Sequence, residues 1–183
     1  MKFKNLREFI AFLEDKGELR RISTPVSWEL EITEIADRMV KQGGPALLFE
    51  NVTGYDIPVL INMYGSEQRM AWALGVDHLD ELVGRLQGLL GLIHGPPEGL
   101  LNKVRTLGQL VHLGSFQPKT VGRAPCQEIV LKGDDVDLFQ LPIIKCWPMD
   151  AGRYITLPLV ISRDPETGVQ NYGTYRMQVY DSK

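Results

Sequence analysis

The stretch Gln170–Tyr180, QNYGTYRMQVY, sets the expected character of the C-terminal part of the chain. It is rich in tyrosine, threonine and valine, residues that suit the pleated surface of a β-strand. The preceding segment Asp164–Gly168, DPETG, is a turn signal, because its proline presets one backbone angle and its glycine tolerates a left-handed conformation. We therefore predict a hairpin with Gln170–Tyr180 as its second strand.

Alternation along this strand separates its side chains into two faces, with Arg176 and Thr174 on one face and Asn171 on the other. An arginine suits a carboxylate or phosphate, and an amide oxygen is a ligand that Mg²⁺, Ca²⁺ or Mn²⁺ accepts. Asn171 and Arg176 can share a site only if the strand is interrupted between them, and Gly173 is the expected place for a bulge. The plainer interpretation is a polar face exposed to water.

The composition is that of an ordinary globular protein, with 183 residues, 44% hydrophobic, 23% charged and a formal net charge of −3. This charge gives no basis for a nucleic-acid partner. The N-terminus lacks the apolar core of a signal peptide, and the most apolar run, residues 86–93, is too short to span a bilayer. We expect a cytoplasmic protein without a transmembrane segment, for which peripheral membrane association stays open.

The cysteines and histidines form no metal-binding pattern. Cys126 and Cys146 are the two cysteines, and they are expected to be free, mostly buried thiols in a reducing compartment. His78, His94 and His112 are isolated in sequence and are interpreted as surface or capping residues.

Helical periodicity and capping residues organise the N-terminal part of the chain, and Asn5 and Ser66 are among the predicted N-caps. Helices are predicted over residues 5–16, 29–42, 66–74 and 77–90, with a weak one over 100–113. Strands are predicted over residues 18–22, 46–50 and 58–63. The middle strand is continuously apolar over residues 46–49, as a strand buried on both faces would be. The acids Glu29, Glu31 and Glu34 suit a solvated helix start better than a metal site.

From Phe116 onward, prolines and glycines replace the helical periodicity. Strands are predicted over residues 128–132, 141–144 and 156–162, ahead of the hairpin. The pattern indicates an α+β chain, with a mixed α/β domain over residues 1–115 and the start of an antiparallel barrel or sandwich over 116–183. Because so few strands rarely form a stable β-domain, we expect a fragment or a chain that pairs with a partner.

The loop Trp147–Tyr154, WPMDAGRY, combines aromatic residues, glycine and an arginine. A packed loop anchored in the core by Trp147 is slightly favoured. The alternative is a loop that lines a cofactor and offers Arg153 to an anion.

Motifs spread along the whole chain resemble those of the UbiD-type decarboxylases, which act on aromatic and α,β-unsaturated carboxylic acids. They are GEL at 17–19, RI at 21–22, LEITEIADR at 30–38, GPALLFEN at 44–51, GRAPC at 122–126, GDDVDL at 133–138, LPI at 141–143, CWP at 146–148 and NYGTYR at 171–176. Each motif is weak alone, but their order along one chain makes the resemblance specific.

The resemblance implies that residues 116–183 begin a split β-barrel of the flavin-reductase type that holds prenylated FMN. The flavin phosphate would be bridged to Mn²⁺, with Asn171 as a metal ligand and K⁺ nearby. Thr174, Tyr175 and Arg176 would contact the flavin. Arg176 would also be catalytic, because a guanidinium can orient the departing carboxylate and keep neighbouring acids ionised.

The resemblance also implies partners. These are an aromatic carboxylic acid substrate, a flavin prenyltransferase that supplies the cofactor, and further copies of the chain in a homo-oligomer. The favoured substrate is a 4-hydroxy-3-polyprenylbenzoate of ubiquinone biosynthesis. Family members are much longer, so the other metal ligands, flavin contacts and catalytic acids are expected beyond Lys183, and this chain alone is expected to be inactive.

Two other interpretations stay open. In one, the chain is a truncated, non-catalytic assembly or regulatory module that pairs with a partner through the strand over residues 172–180 and binds neither flavin nor metal. In the other, it is a small barrel that uses unmodified FMN as a redox cofactor.

Overall fold

The computed structural model describes residues 3–93 and 120–183, and the predicted helix over 100–113 and the predicted domain boundary lie outside them. The N-terminal elements are α1 (Leu6–Asp15), β1 (Leu19–Ile22), α2 (Glu31–Lys41), β2 (Ala46–Phe49), β3 (Val59–Ile61), α3 (Glu67–Ala73) and α4 (Asp80–Ile93). The C-terminal strands are β4 (Arg153–Ile155), β5 (Leu159–Arg163), β6 (Gln170–Thr174) and β7 (Met177–Val179). The fold is mixed α/β.

Two predicted helix caps are confirmed. The side chain of Asn5 accepts a hydrogen bond from the backbone N–H of Glu8 at 3.0 Å, at the start of α1. The hydroxyl of Ser66 accepts from the N–H of Arg69 at 3.2 Å, at the start of α3. These side chains satisfy N–H groups that have no partner within the helix.

The strand β2 lies at the centre of a three-stranded sheet, parallel to β1 and antiparallel to β3. All four of its residues are buried, as predicted. Ala46 and Leu48 pack in one core with α1, and Leu47 and Phe49 pack in a second core with Ile32 of α2. The sheet is therefore the middle layer between α1 and α2.

The C-terminal part joins the N-terminal part through residues 143–146. Ile144 is buried in the same core as Ile32 and Phe49. The backbone N–H of Leu30 donates to the carbonyl of Lys145 at 3.0 Å, and the N–H of Lys145 donates to the carbonyl of Trp28 at 3.2 Å. This backbone pairing explains why α2 begins at Glu31, two residues later than predicted.

Two strands predicted for the C-terminal part are wrong. Residues 128–132 are exposed and irregular, and they lead into a short 3₁₀ turn in which Gly133 has a φ of +56°. Residues 141–144 are also irregular, because Pro142 has no N–H for a ladder and the following isoleucines turn into the core. The strand predicted over 156–162 is confirmed only in its second half, as β5.

The predicted hairpin turn is confirmed, and its second strand is confirmed as far as Thr174. The Asp164 carboxylate accepts from the N–H groups of Glu166 at 2.8 Å and Thr167 at 2.7 Å, and Gly168 takes a φ of +72°. The turn joins β5 to β6, while β4 pairs antiparallel with β7 in a second two-stranded sheet. The completion of these strands into a split barrel stays a prediction.

An arginine is buried at the junction of α3 with the sheet. The side chain of Arg69 is 1% exposed, and its Nη1 donates to the Glu18 carboxylate at 2.6 Å. Its Nη2 donates to the carbonyl of Gly44 at 3.2 Å. A buried guanidinium is tolerated only when such partners compensate for lost hydration.

We predict that Glu18→Gln lowers the free energy of unfolding by about 3 kcal/mol, because the buried guanidinium of Arg69 loses its counter-charge while the side-chain size is kept. Urea denaturation at neutral pH measures the change. The control is Glu50→Gln, which removes a partner of the exposed Arg21 and should have a much smaller effect. Equal effects in the two variants would contradict the stabilising role of Glu18.

Candidate functional site

The predicted strand over residues 170–180 is interrupted at Tyr175 and Arg176. Before the interruption β6 pairs with β5, and after it β7 pairs with β4, so the two halves belong to different sheets. The interruption that Asn171 and Arg176 need in order to share a site therefore exists. The bulge predicted at Gly173 is wrong, because Gly173 pairs in register with Val160.

Gly173 instead gives space to the side chain of Tyr175. A Cβ atom at residue 173 would lie 2.4 Å from Cε2 of Tyr175 and 2.9 Å from its hydroxyl oxygen. Real atoms do not approach so closely, so only glycine allows the tyrosine ring to lie over β6. The Tyr175 ring therefore lies against Gly173 of β6 and remains exposed on its other side.

Asn171 and Thr174 lie on β6, where they are opposite Ser162 and Leu159 of β5. Both residues are exposed, and their separation of three positions directs them to opposite faces of the strand. Asn171, Thr174 and Tyr175 are therefore accessible to a ligand.

The guanidinium of Arg176 is bound by Asp150, a residue that the sequence did not indicate. Nη1 donates to Oδ1 of Asp150 at 3.2 Å and Nη2 donates to Oδ2 at 2.5 Å. The Cζ atom of Arg176 lies 3.8 Å from the centre of the Tyr154 ring, whose hydroxyl donates to Gln178 at 3.2 Å. The Arg176 side chain is 41% exposed and that of Asp150 is 12% exposed.

The pair is ionised. The hydrogen bond from Arg176 lowers the pKa of the Asp150 carboxyl, and the backbone N–H of Trp147, at 3.1 Å, lowers it further. The same carboxylate raises the pKa of Arg176, and the sulfur of Cys146 contributes in the same direction. The site therefore offers a permanently charged guanidinium with one side already occupied.

The loop Trp147–Tyr154 is packed, but not by the residue predicted. Trp147 is 51% exposed, so its assignment as a core anchor is wrong. Arg153 holds the loop, with its Cζ atom 3.6 Å from the centre of the Trp28 ring and 4.8 Å from that of Phe139. Its guanidinium also donates to the hydroxyl of Tyr55. This cation packs among aromatic rings, where contacts of this kind are favourable.

The residues present do not complete a metal site. Within residues 3–93 and 120–183, no group of three or more histidine, cysteine or acidic side chains could hold an ion. Both cysteines are free, but Cys126 is exposed, so its predicted burial is wrong. The three acids near the start of α2 already have partners. Glu29 pairs with Lys145, Glu31 accepts from the N–H of Ser27, and Glu34 pairs with Arg38. Asn171 offers one amide oxygen, which suits a divalent cation, and the guanidinium of Arg176 suits an anion.

No helix in the described part of the chain is long and apolar enough to cross a membrane.

The match to known families follows the two parts of the fold. Residues 10–86 match the 3-octaprenyl-4-hydroxybenzoate carboxy-lyase N-terminal domain, and residues 119–183 match the Rift-related domain of the same carboxy-lyases. The chain belongs to the UbiD family of decarboxylases and corresponds to an N-terminal portion of its members.

The chain is similar to longer proteins. It is 51% identical to an uncharacterized protein of Archaeoglobus fulgidus over 100% of this chain and 37% of that protein. It is 49% identical to an uncharacterized protein of Aquifex aeolicus over 98% of this chain and 37% of that one. The chain thus spans little more than a third of the length of the curated relatives it matches.

In two solved structures, nearly all of this chain likewise matches only part of a longer chain. The vanillic acid decarboxylase of Sedimentibacter hydroxybenzoicus, in closed form, is 31% identical with a TM-score of 0.74, over 98% of this chain and 36% of that chain. An evolved dimeric form of the UbiD-class enzyme HmfF from Pelotomaculum thermopropionicum, in complex with prenylated FMN, is 31% identical with a TM-score of 0.73, over 98% and 37%.

We predict that Gly173→Ala displaces the Tyr175 ring from β6, because the added Cβ would overlap it. The stability cost should stay within about 1 kcal/mol, since the displaced group is the end of an exposed side chain. Ring-proton NMR shifts of Tyr175 measure the displacement. The control is Gly122→Ala, which has nothing within 4 Å of its Cβ position. Unchanged Tyr175 shifts in Gly173→Ala would disprove the contact.

Proposed function

We propose that this chain is the N-terminal part of a carboxy-lyase that reversibly decarboxylates aromatic or α,β-unsaturated carboxylic acids with prenylated FMN. The observation that carries the proposal is the accessible guanidinium of Arg176, which Asp150 holds and which directly follows the exposed residues Thr174 and Tyr175 in the chain. Solved neighbours include decarboxylases of vanillic acid and of 3,4-dihydroxybenzoic acid, which supports an aromatic acid as substrate. The description of the matching family favours a 4-hydroxy-3-polyprenylbenzoate.

The residues of this chain would bind and orient the reactants. Arg176 binds the carboxylate of the substrate through the donors that Asp150 leaves unused, and Tyr154 covers one face of the guanidinium. Thr174 and Tyr175 lie on the chain immediately before Arg176 and contact the flavin from β6 and its end. Prenylated FMN, when bound beside these residues, would supply the electron sink for the pair that is left as the bond to CO₂ breaks.

The metal would be held only in part by this chain. We assign Asn171 as one ligand of Mn²⁺. The other Mn²⁺ ligands, and the residues that bind a nearby K⁺, would lie outside this chain. Further ligands are needed because one amide oxygen is insufficient to hold a divalent cation. A flavin prenyltransferase as cofactor source, a homo-oligomer and a cytoplasmic location complete the proposal.

The C-terminal strands support completion by further strands. Leu159, Ile161, Tyr172 and Met177 on β5, β6 and β7 are exposed, although strands of this composition normally pack on one face. In the proposed enzyme the rest of the barrel covers them. A non-catalytic assembly module would use the same surface for a partner chain, but it would bind no flavin.

We predict that Arg176→Gln, in the longer parent protein loaded with prenylated FMN, lowers kcat for vanillate or 3,4-dihydroxybenzoate by at least about 100-fold. The reason is the loss of the charge that orients the departing carboxylate. Carbon dioxide release measures the rate, and the melting temperature checks that the fold survives.

The matched control is Arg163→Gln, which changes an exposed arginine on β5 opposite Gln170 and should retain normal turnover. Normal turnover by Arg176→Gln would exclude the proposed catalytic role. Absence of flavin from the parent protein after co-expression with a flavin prenyltransferase would support the assembly module instead.

We predict that Asn171→Ala lowers manganese affinity by at least about tenfold in the parent protein, because a ligand oxygen is lost. The ratio of manganese to flavin in the purified protein, by elemental analysis and absorbance, measures the effect. Gln170→Ala, at the neighbouring position on β6, is the control. An unchanged ratio in Asn171→Ala would exclude Asn171 as a ligand.

A further inference from the structure

We propose that Asp150 is a positioning residue of the candidate site, which fixes the plane of the Arg176 guanidinium and moderates its attraction for a bound carboxylate. The inference rests on the proposed function for the identity of the reaction. It names an acid within this chain for a role in carboxylate binding, in addition to the acids that the family resemblance places beyond Lys183.

The geometry of the pair supports positioning. A guanidinium has five N–H donors in one plane, and Asp150 takes one from each terminal nitrogen of Arg176. Two parallel bonds fix both the direction and the plane of the group. Three donors remain for a ligand and for the neighbouring sulfur of Cys146.

Asp150 is itself held in place. Its Oδ2 atom accepts from the N–H of Trp147 at 3.1 Å, and its own N–H donates to the carbonyl of Trp147 at 3.0 Å. The pairing of β4 with β7 sets Tyr154 opposite Gln178, which brings the loop beside Arg176. The carboxylate is thus fixed by backbone contacts rather than by the arginine alone.

The charge of Asp150 has a consequence for decarboxylation. A carboxylate substrate loses its charge as it becomes CO₂, so strong attraction in the ground state would raise the barrier. A fixed neighbouring carboxylate weakens that attraction without changing the direction of the guanidinium. Asp150 therefore favours orientation over tight binding.

We predict that replacing Asp150 strengthens carboxylate binding but slows turnover. In Asp150→Asn, benzoate should bind this 183-residue chain about fivefold more tightly, the effect of removing one unit charge at about 4 Å in water. We expect one sharp set of Arg176 side-chain NMR signals in the wild-type chain and broadened or multiple signals in Asp150→Asn. In the parent protein, kcat for vanillate should fall at least about tenfold while KM does not rise.

Two variants of the same chain serve as controls. Asp164→Asn changes another carboxylate that accepts two backbone N–H groups in a turn, and it should behave as wild type in both assays. Arg176→Gln should abolish benzoate binding. An NMR titration with benzoate compares binding by the wild-type chain and the three variants without depending on turnover.

The outcomes test the positioning role of Asp150 separately from the proposed decarboxylation. Benzoate binding that weakens in Asp150→Asn, wild-type Arg176 signals in that variant, or no saturable benzoate binding by the wild-type chain would overturn the role of Asp150. If the benzoate results are as predicted but the parent protein decarboxylates neither vanillate nor 3,4-dihydroxybenzoate, the assignment of Asp150 stands and the proposed reaction on these acids fails.

Discussion

The burial of β2 on both faces is the constraint on which the rest of the structure depends. A strand with four buried residues needs an apolar layer on each side, because its side chains alternate between the two. α1 supplies one layer, and α2 supplies the other together with Ile144 from the C-terminal part. Since Ile144 closes this core, the C-terminal strands are anchored to the N-terminal sheet rather than merely linked to it.

The backbone contacts of Ile144 and Lys145 also set the geometry of the candidate site. The backbone of Lys145 pairs with residues on either side of Glu29, and the N–H of Tyr154 donates to the carbonyl of Ile144 at 3.0 Å. β4 then pairs with β7, and Asp150 is held between these two attachments beside Arg176. The guanidinium is thus oriented by a short chain of backbone contacts that begins in the core.

Local patterns predicted the elements better than their contacts. The apolar run of β2, the caps Asn5 and Ser66 and the turn at Asp164 each depend on neighbouring residues, so the sequence could indicate them. The strand over residues 128–132 was wrong, because its apolar pattern finds no neighbouring strand in the described structure and stays exposed.

The site was predicted only in part, for a related reason. The strand that carries Asn171, Thr174, Tyr175 and Arg176 was recognised from its composition and from the family resemblance. The pair between Asp150 and Arg176 joins positions 26 apart, and it depends on the register of β4 with β7, which no local pattern determines. The only feature of the sequence that could have drawn attention to Asp150 is its position as an acid in a glycine-containing loop ahead of a strand.

The stacking of Arg153 on Trp28 has a consequence for recombination among relatives. The two residues lie in segments that match different family domains, so a crossover between those domains divides one packing unit. A chimera that takes its two domains from different parents draws Trp28 from one parent and residue 153 from the other. The packing unit stays whole when residues 143–154 are exchanged together with the first domain, so in protein engineering that loop counts as part of the N-terminal module.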